Sequence, residues 1–98
     1  MRKENQYRIT VEEIGVAEGL VPQRLQFEMQ DREDLFSAVE KINENSGLAA
    51  PEATRVAVAL RLLGPVMMLN RKHELFAEFM PHFKTFMQNL KNTVKGKR

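Results

Sequence analysis

The stretch LRLLGPVMMLNRKH, residues 60–73, decides the fold, because it lies in the most apolar part of the chain and yet contains Gly64-Pro65. A proline inside a helix removes one backbone hydrogen bond and crowds the preceding turn, at a cost of about 3 kcal/mol. Apolar residues nevertheless continue the same helical face on both sides of it. Either the helix ends at Leu63 or it continues with a kink, and the continued apolar face favours the kinked helix.

The residues before this stretch extend the same helix toward the N-terminus. From Val56 onward the pattern is apolar almost all round, which is typical of a helix surrounded by other elements. Pro51 suits the first turn of a helix, where its missing N–H group costs little. The sequence therefore predicts a central helix over residues 51–71.

Two earlier segments alternate apolar and polar residues, which is the pattern of a strand with one buried face. They cover residues 6–13 and 23–30, and their apolar positions are Tyr7, Ile9, Val11, Leu25, Phe27 and Met29. The residues between them contain two glycines and Pro22, too many for a two-residue turn. We expect an antiparallel hairpin with a long connection.

Two more helices complete the prediction. Asp31 is a candidate N-cap for a helix over residues 32–45, and Gly47 is a candidate left-handed residue that ends it. Pro81 suits the start of an amphipathic helix over residues 81–93. Between the last two helices, HELFAEFM predicts one or two helical turns that bury Leu75, Phe76 and Phe79.

The expected fold class is α+β, with the antiparallel hairpin packed against three main helices in a single domain, residues 1–98, whose ends at 1–5 and 93–98 are frayed. A two-stranded sheet is marginal and leaves two open edges. A homodimer that joins strands across a twofold axis into a four-stranded sheet would remove that weakness.

Composition excludes several classes of protein. The chain of 98 residues has no cysteine, which rules out disulfides and thiol chemistry, and its N-terminus does not resemble a signal peptide. The longest apolar run is interrupted by Arg61 and is too short to cross a membrane. We expect a cytoplasmic protein. Residues 1–54 carry 6 Lys/Arg against 11 Asp/Glu, and residues 55–98 carry 9 against 2, so the chain is electrically dipolar.

The sequence contains no signature of catalysis. It has no nucleophile elbow, phosphate-binding glycine loop or triad-like composition, so we expect no enzymatic activity, no catalytic residues and no cofactor. One set resembles metal ligands: His73, Glu74, Glu78 and His82. The histidines are not spaced i, i+4 and Pro81 separates the second carboxylate from the second histidine, so we expect no metal site.

The candidate ligand-binding residues are Asn70, Arg71, Lys72 and His73, which follow the central apolar segment. Their cations are able to hold a phosphate or carboxylate group, and Lys84, Lys91 and the basic tail are candidates to extend the same patch. The simpler interpretation is that these cations complement the negative end of the helix dipole where the chain leaves the core.

Four segments together resemble a small family of bacterial proteins, a domain of unknown function of about this length. They are YRITVE (7–12), LQFEMQDREDLF (25–36), ALRLLGPVMMLNRKHELF (59–76) and FKTFMQNLK (83–91). The resemblance covers nearly the whole chain, and NRKHELF is its most specific part. It implies a compact α+β fold, a bacterial and cytosolic setting, and no established activity or catalytic residues.

The leading functional hypothesis is a non-enzymatic interaction module, either a homo-oligomer or a partner-binding protein, whose opposed charges orient the contact. The alternative is binding of an anionic ligand or of nucleic acid through the basic C-terminal half, although no base-reading motif is present and the acidic half opposes it.

Overall fold

The computed structural model describes residues 4–96 and has an α+β fold, as predicted. Two strands are followed by four helices, three of which are long: β1 Asn5–Glu12, β2 Arg24–Asp31, α1 Leu35–Asn45, α2 Ala50–Leu69, α3 Glu74–Ala77 and α4 Met80–Gly96. The chain divides into two compact units after Arg32. We call residues 4–32 the hairpin unit and residues 33–96 the helical unit. The single-domain assignment stays a prediction.

The hairpin unit confirms both predicted strands to within one residue at each end. The strands are antiparallel, and the three apolar cross-strand pairs are Tyr7 with Met29, Ile9 with Phe27, and Val11 with Leu25. The prediction that this face is buried is wrong for half of it, since Val11 is 56% exposed, Leu25 58% and Phe27 40%. Two strands alone have too little area to cover their own apolar face.

Helix α1 begins later than predicted, and its N-cap is Asp34 rather than Asp31. Strand β2 runs through Asp31, so the chain needs two further residues to turn before a helix starts. Asp34 then has extended dihedral angles, and its carboxylate accepts from the backbone N–H of Phe36 at 2.9 Å and of Ser37 at 3.2 Å. After the helix, Gly47 has a φ of +86°, which confirms the predicted left-handed residue.

Replacing Asp34 with alanine is expected to lower the free energy of unfolding by about 1 kcal/mol, because two N–H groups of the first turn lose their acceptor. Asp34→Asn is the matched control, since asparagine caps helices about as well as aspartate. Urea unfolding of both variants measures the difference. An asparagine variant as unstable as the alanine variant would show that the charge, rather than the cap, is what matters at this position.

Helix α2 continues through Pro65 to Leu69, so the alternative in which it ends at Leu63 is wrong. A residue that precedes a proline is generally disfavoured in the helical region, yet Gly64 is helical. The conflict between a proline ring and the preceding residue involves that residue's Cβ, which glycine lacks. Gly64 also faces Phe83, whose Cζ would lie 4.0 Å from an added Cβ.

The core of the helical unit lies where α2 meets α1 and α4. Ala53 and Ala57 have no exposed surface, and Ile42 of α1 is 7% exposed beside them. Three partly buried residues complete this cluster: Val39, Leu90 and Val94. Small residues at the buried positions allow the helices to approach closely. The N-terminal half of α2 is thus central to the helical unit, as predicted.

The end of α2 and the segment after it are more exposed than predicted. Leu69 is 86% exposed, and the expectation that Leu75 and Phe79 enter the core is wrong, since they are 70% and 47% exposed. The physical reason is that α3 is a single turn of four residues, too short to present a buried stripe. Phe76 alone of the three expected residues is half-buried.

The chain ends are more ordered than predicted where the structure describes them. Asn5 begins β1, and α4 continues to Gly96 instead of ending at residue 93. The rest of the predicted frayed ends, residues 1–3 and 97–98, lie outside the described residues. Within residues 4–96, none of the helices combines the length and the hydrophobicity that crossing a membrane requires.

Candidate functional site

The four predicted ligand-binding residues form the turn between α2 and α3, and two of them hold the turn together. Asn70 caps α2: its backbone N–H donates to Met67 and Val66, and its side-chain amide donates to the Val66 carbonyl at 2.8 Å. His73 caps α3, because its Nδ1 accepts from the Leu75 N–H at 3.0 Å. The side chains of Asn70 and His73 therefore have structural partners.

The other two residues, Arg71 and Lys72, are exposed, and no ion pair involves them in the part of the chain that the structure describes. Helix α2 has no basic residue in its last turn, so these cations lie beyond its end. They stand between Leu69 and Leu75, which are 86% and 70% exposed. We call Leu69, Arg71, Lys72 and Leu75 the cationic corner. It combines positive charge with uncovered apolar surface.

The remaining cations suggested for this site lie on α4. Lys84 and Lys91 are exposed, and the side chains of the basic tail from Lys95 onward lie outside the described residues. Lys91 lines a groove of about 570 Å³ in the helical unit. The floor of the groove is apolar and its rim is charged; the apolar residues are Ile42, Met87, Leu90 and Val94, and the charged ones are Glu33, Asp34, Lys41, Arg61 and Lys91.

This groove was missed by sequence analysis because its lining comes from three helices and from the segment before α1. Its carboxylates and cations offset each other, and the Asp34 carboxylate already caps α1. The groove is open to solvent along its length and has no buried polar group without a partner among the described residues. It therefore offers no arrangement that selects a particular ligand.

The histidines do not form a metal centre in the described structure. Within residues 4–96, no three His, Cys, Asp or Glu side chains converge as metal ligands. The Nδ1 of His73 is engaged with Leu75, and the His73 ring contacts that of Phe76 at 6.2 Å between centroids. The set of His73, Glu74, Glu78 and His82 supplies no centre on which a metal proposal is based.

The two faces of the hairpin unit differ in chemistry. On the polar face, Arg8 forms an ion pair with Glu28 at 3.0 Å, and the Thr10 hydroxyl donates to the Gln26 side chain at 3.4 Å. The opposite face carries the three apolar cross-strand pairs, and half of its residues are exposed. The hairpin unit thus has one polar face and one apolar face that is partly open to solvent.

The tip of the hairpin is a long loop closed by two hydrogen bonds. The Glu13 N–H donates to the Gln23 carbonyl at 2.9 Å, and the Gln23 N–H donates to the Glu13 carboxylate at 2.9 Å. We call residues 12–22 the acidic tip, because they contain three glutamates and no Lys or Arg. Their apolar residues are open to solvent: Ile14 is 87% exposed, Leu20 66% and Val21 85%.

A two-stranded antiparallel hairpin followed by three long helices and one short one defines a protein of the α+β class. The chain belongs to the family DUF3861, a domain of unknown function with a solved structure, whose model matches residues 5–92. This agrees with the family resemblance of the sequence. No curated protein matches the chain significantly.

A solved structure confirms the fold. The crystal structure of a protein of unknown function from Pectobacterium atrosepticum is similar to this chain, with 39% sequence identity and a TM-score of 0.80. The match covers 92% of this chain and 99% of that one. A bacterial relative suggests a bacterial source for this chain as well.

Proposed function

We propose that this protein is a non-enzymatic interaction module that forms a homodimer through its hairpin. The observation that carries the proposal is the open apolar face of the hairpin, where Val11, Leu25 and Phe27 are between 40% and 58% exposed. Full burial of such side chains is worth about 1.5–3 kcal/mol each, so covering their exposed fractions would contribute roughly 1 kcal/mol apiece. A partner surface is the simplest way to cover them. A cytoplasmic location stays a prediction.

The free edges of the two strands also favour a homodimer. Both strands of the hairpin are edge strands, whose outward N–H and C=O groups have no partner within the two-stranded sheet. Pairing one edge with the same edge of a second copy would produce a four-stranded antiparallel sheet with a continuous apolar face. Such a contact adds backbone hydrogen bonds to apolar burial, as in other cases of strand addition.

The register of the hairpin determines which backbone groups point outward from its two edges. Glu13 and Gln23 are directly opposite each other, and the Glu13 N–H donates to the Gln23 carbonyl, so theirs is a hydrogen-bonded pair. Because such pairs alternate along an antiparallel ladder, the odd-numbered residues of β1 bond inward and the even-numbered ones face outward. On β2 the same reasoning leaves the even-numbered residues outward. Thr10 and Gln26 are central positions on the two edges.

The test is to place proline at one edge at a time. Proline removes an N–H group, so Thr10→Pro blocks the β1 edge and Gln26→Pro blocks the β2 edge while the bonds within the hairpin are retained. Light scattering after size exclusion should give the wild type twice the monomer mass of 11.3 kDa. One of the two variants should be monomeric with an unchanged circular dichroism spectrum, and the other should remain a dimer and serve as its matched control.

A wild type that stays at 11.3 kDa at high concentration would contradict the dimer. If both proline variants remain dimers, the edges are not the contact, and the proposal fails in that form. If a proline variant loses the circular dichroism spectrum of the folded protein, Thr10→Val or Gln26→Thr is measured at the same position. Both substitutions keep the N–H group, so both variants are expected to dimerise. A folded Thr10→Val monomer would also contradict edge pairing.

The alternative, binding of an anionic ligand or of nucleic acid through the basic half, has one observation in its favour: the cations Arg71 and Lys72 form no ion pair with any of the described residues. Proteins that bind DNA tightly contact about 6–10 phosphates, and each contact contributes to the salt dependence of binding. Arg71 and Lys72 would neutralise only two phosphates, and the other suggested cations that the structure describes, Lys84 and Lys91, lie on a different helix, α4. The self-association proposal is therefore the better supported one.

A further inference from the structure

We infer that the two hairpins of the proposed homodimer join along their β1 edges, with Thr10 of each copy directly opposite Thr10 of the other. The inference rests on the proposed homodimer and specifies which edge forms the contact and in which register. It assigns Arg8 and Glu12 as the residues that determine the pairing. All of these residues lie in the hairpin unit.

The β1 edge is better suited to pairing than the β2 edge. The centre of β1 is the run Ile9, Thr10 and Val11, three β-branched residues that favour the interior of a sheet, whereas β2 contains no β-branched residue. The β2 edge is also interrupted by Pro22, next to the hydrogen-bonded residue Gln23, because proline has no N–H group. A proline on a strand edge protects that edge from pairing.

Symmetry limits the ways in which two β1 edges can meet. In a twofold antiparallel pair, one residue lies opposite its own copy, and residues equally far from it on either side lie opposite each other. The even-numbered residues of β1 carry the outward backbone groups, so they must lie opposite even-numbered residues of the other copy. Near the middle of β1, the central residue is therefore Arg8, Ile9 or Thr10.

The charges of β1 favour Thr10 as the central residue. With Arg8 at the centre, two arginines would lie directly opposite each other, which is unfavourable. With Ile9 at the centre, Arg8 would lie opposite Thr10 and diagonal to its own copy, and Glu12 would lie opposite Gln6. With Thr10 at the centre, Arg8 of each copy lies opposite Glu12 of the other, so a pair of opposite charges forms twice.

The charges of β2 extend these pairs across the whole sheet. Within each hairpin, Arg8 forms an ion pair with Glu28 at 3.0 Å, and Glu12 lies opposite Arg24. In the joined sheet, each row on the polar face contains Glu28 and Arg8 of one copy, followed by Glu12 and Arg24 of the other. The sign of the charge alternates at every strand. The other charged residues of the hairpin unit lie outside these rows: Glu4, Glu13, Glu18, Asp31 and Arg32.

The exposure of the apolar face favours the same register. The exposed side chains Val11, Leu25 and Phe27 lie in the middle of the hairpin and toward its loop, whereas Tyr7 and Met29 at the other end are half-buried. In this register the exposed side chains of the two copies lie next to each other around the twofold axis. The half-buried pair lies at the outside, where it needs no cover from the second copy.

Cysteine cross-linking tests the edge and the register together. The chain has no cysteine, so a single introduced cysteine links only to the same position of a second copy. In the inferred dimer the Cα atoms of residue 10 are about 5.5 Å apart, within the range of a disulfide. We compare Thr10→Cys with Ile9→Cys, whose Cα atoms would be about 7–8 Å apart, and with Gln26→Cys on the β2 edge.

Under mild oxidation, Thr10→Cys is expected to form a covalent dimer about tenfold faster than the other two variants, because only its thiols lie within bonding distance. Glu40→Cys, an exposed position in the helical unit, measures the rate of cross-linking by random collision. Faster cross-linking of Ile9→Cys or Gln26→Cys would overturn the inference and leave the homodimer standing. So would a Thr10→Cys rate no higher than that of Glu40→Cys in a dimeric protein. A monomeric wild type would refute both proposals.

Charge reversal provides an independent measurement of the contact. Homodimers of Arg8→Glu or of Glu12→Arg would oppose like charges, whereas a heterodimer of the two variants opposes opposite charges at both contacts. The pairs within each hairpin are altered equally in both kinds of dimer, so the comparison isolates the contact between copies. Native mass spectrometry of differently tagged copies should show the heterodimer in about fivefold excess over a random mixture.

The matched control is the same reversal on β2, with Arg24→Glu and Glu28→Arg. These residues occupy the outer strands of the inferred sheet, so their variants are expected to mix at random. A heterodimer preference of the β2 variants, or random mixing of the Arg8 and Glu12 variants, would overturn the inference.

Discussion

Replacing Ile42 with alanine is expected to lower the free energy of unfolding by about 3 kcal/mol, within the range typical of isoleucine-to-alanine changes in a core. Ile42 is 7% exposed and lies against Ala53 and Ala57, which have no exposed surface. The side chains of Ala53 and Ala57 are too short to fill the space that the substitution leaves. The loss should therefore contain the cavity contribution as well as the lost transfer free energy.

Ile42→Val is the matched control, with an expected loss of about 1 kcal/mol. Both variants are measured by urea unfolding at one protein concentration, because the stability of a dimer depends on concentration. Ala57→Leu tests the same contact from the other side, since a larger side chain has no room between α1 and α2. If Ile42→Ala cost less than Ile42→Val, the position would not be the centre of this core.

Replacing Pro65 with alanine is expected to stabilise the protein by about 2 kcal/mol. A proline inside a helix costs about 3 kcal/mol, of which roughly 1 kcal/mol is offset by the smaller entropy of the unfolded chain. Pro65 lies within the continuous helix Ala50–Leu69, and alanine restores the N–H group that can bond to the Arg61 carbonyl. Thermal unfolding of the variant measures the gain. A loss of stability would show that the proline geometry is needed for packing.

The effect of Gly64→Ala on the stability of the protein should depend on whether Pro65 is present. Gly64→Ala alone is expected to be neutral or destabilising, because the new Cβ conflicts with the Pro65 ring in a helical conformation. In the Pro65→Ala background the same change should add about 1 kcal/mol of stability, as glycine-to-alanine changes do inside helices. The added methyl group meets only the Phe83 ring, at 4.0 Å, which is an ordinary contact. If the effects of Gly64→Ala and Pro65→Ala on the free energy of unfolding were additive, the two positions would not be coupled in this way.

Local patterns in the sequence were enough to predict the elements of the fold. The alternation in β1 and β2 reports a one-sided strand directly, and the apolar stripe of α1 and the left-handed Gly47 are equally local signals. Continuation of α2 through Pro65 followed from the apolar face on its two sides. Each of these signals depends on neighbours within a few residues, which a sequence displays.

Other features depend on geometry that a sequence does not display. The N-cap was assigned to Asp31 instead of Asp34 because both are aspartates near a helix start, and the end of β2 decides between them. Leu75 and Phe79 have helical spacing to the residues of α4, but α3 is too short to bury them.

The candidate site was predicted in part. Arg71 and Lys72 were found because they are adjacent cations after an apolar segment, whereas the structural roles of Asn70 and His73 appear only in their hydrogen bonds. The acidic tip was seen as a loop and not as a surface. A signal was available, since residues 12–22 contain three glutamates, no cations and several large apolar residues. A solvated loop rarely needs that combination.

Residue-resolved amide hydrogen exchange at low and high protein concentration tests the central claim, that two hairpins join into one sheet. The amides of Gln6, Arg8, Thr10 and Glu12 face outward on β1, and those of Arg24, Gln26, Glu28 and Gln30 face outward on β2. The account predicts that one of these two sets becomes protected as the dimer forms, while the other continues to exchange rapidly. If both sets still exchanged as fast as the amides of loop residues 14–19 at the higher concentration, the hairpins would not be paired and the claim would be contradicted.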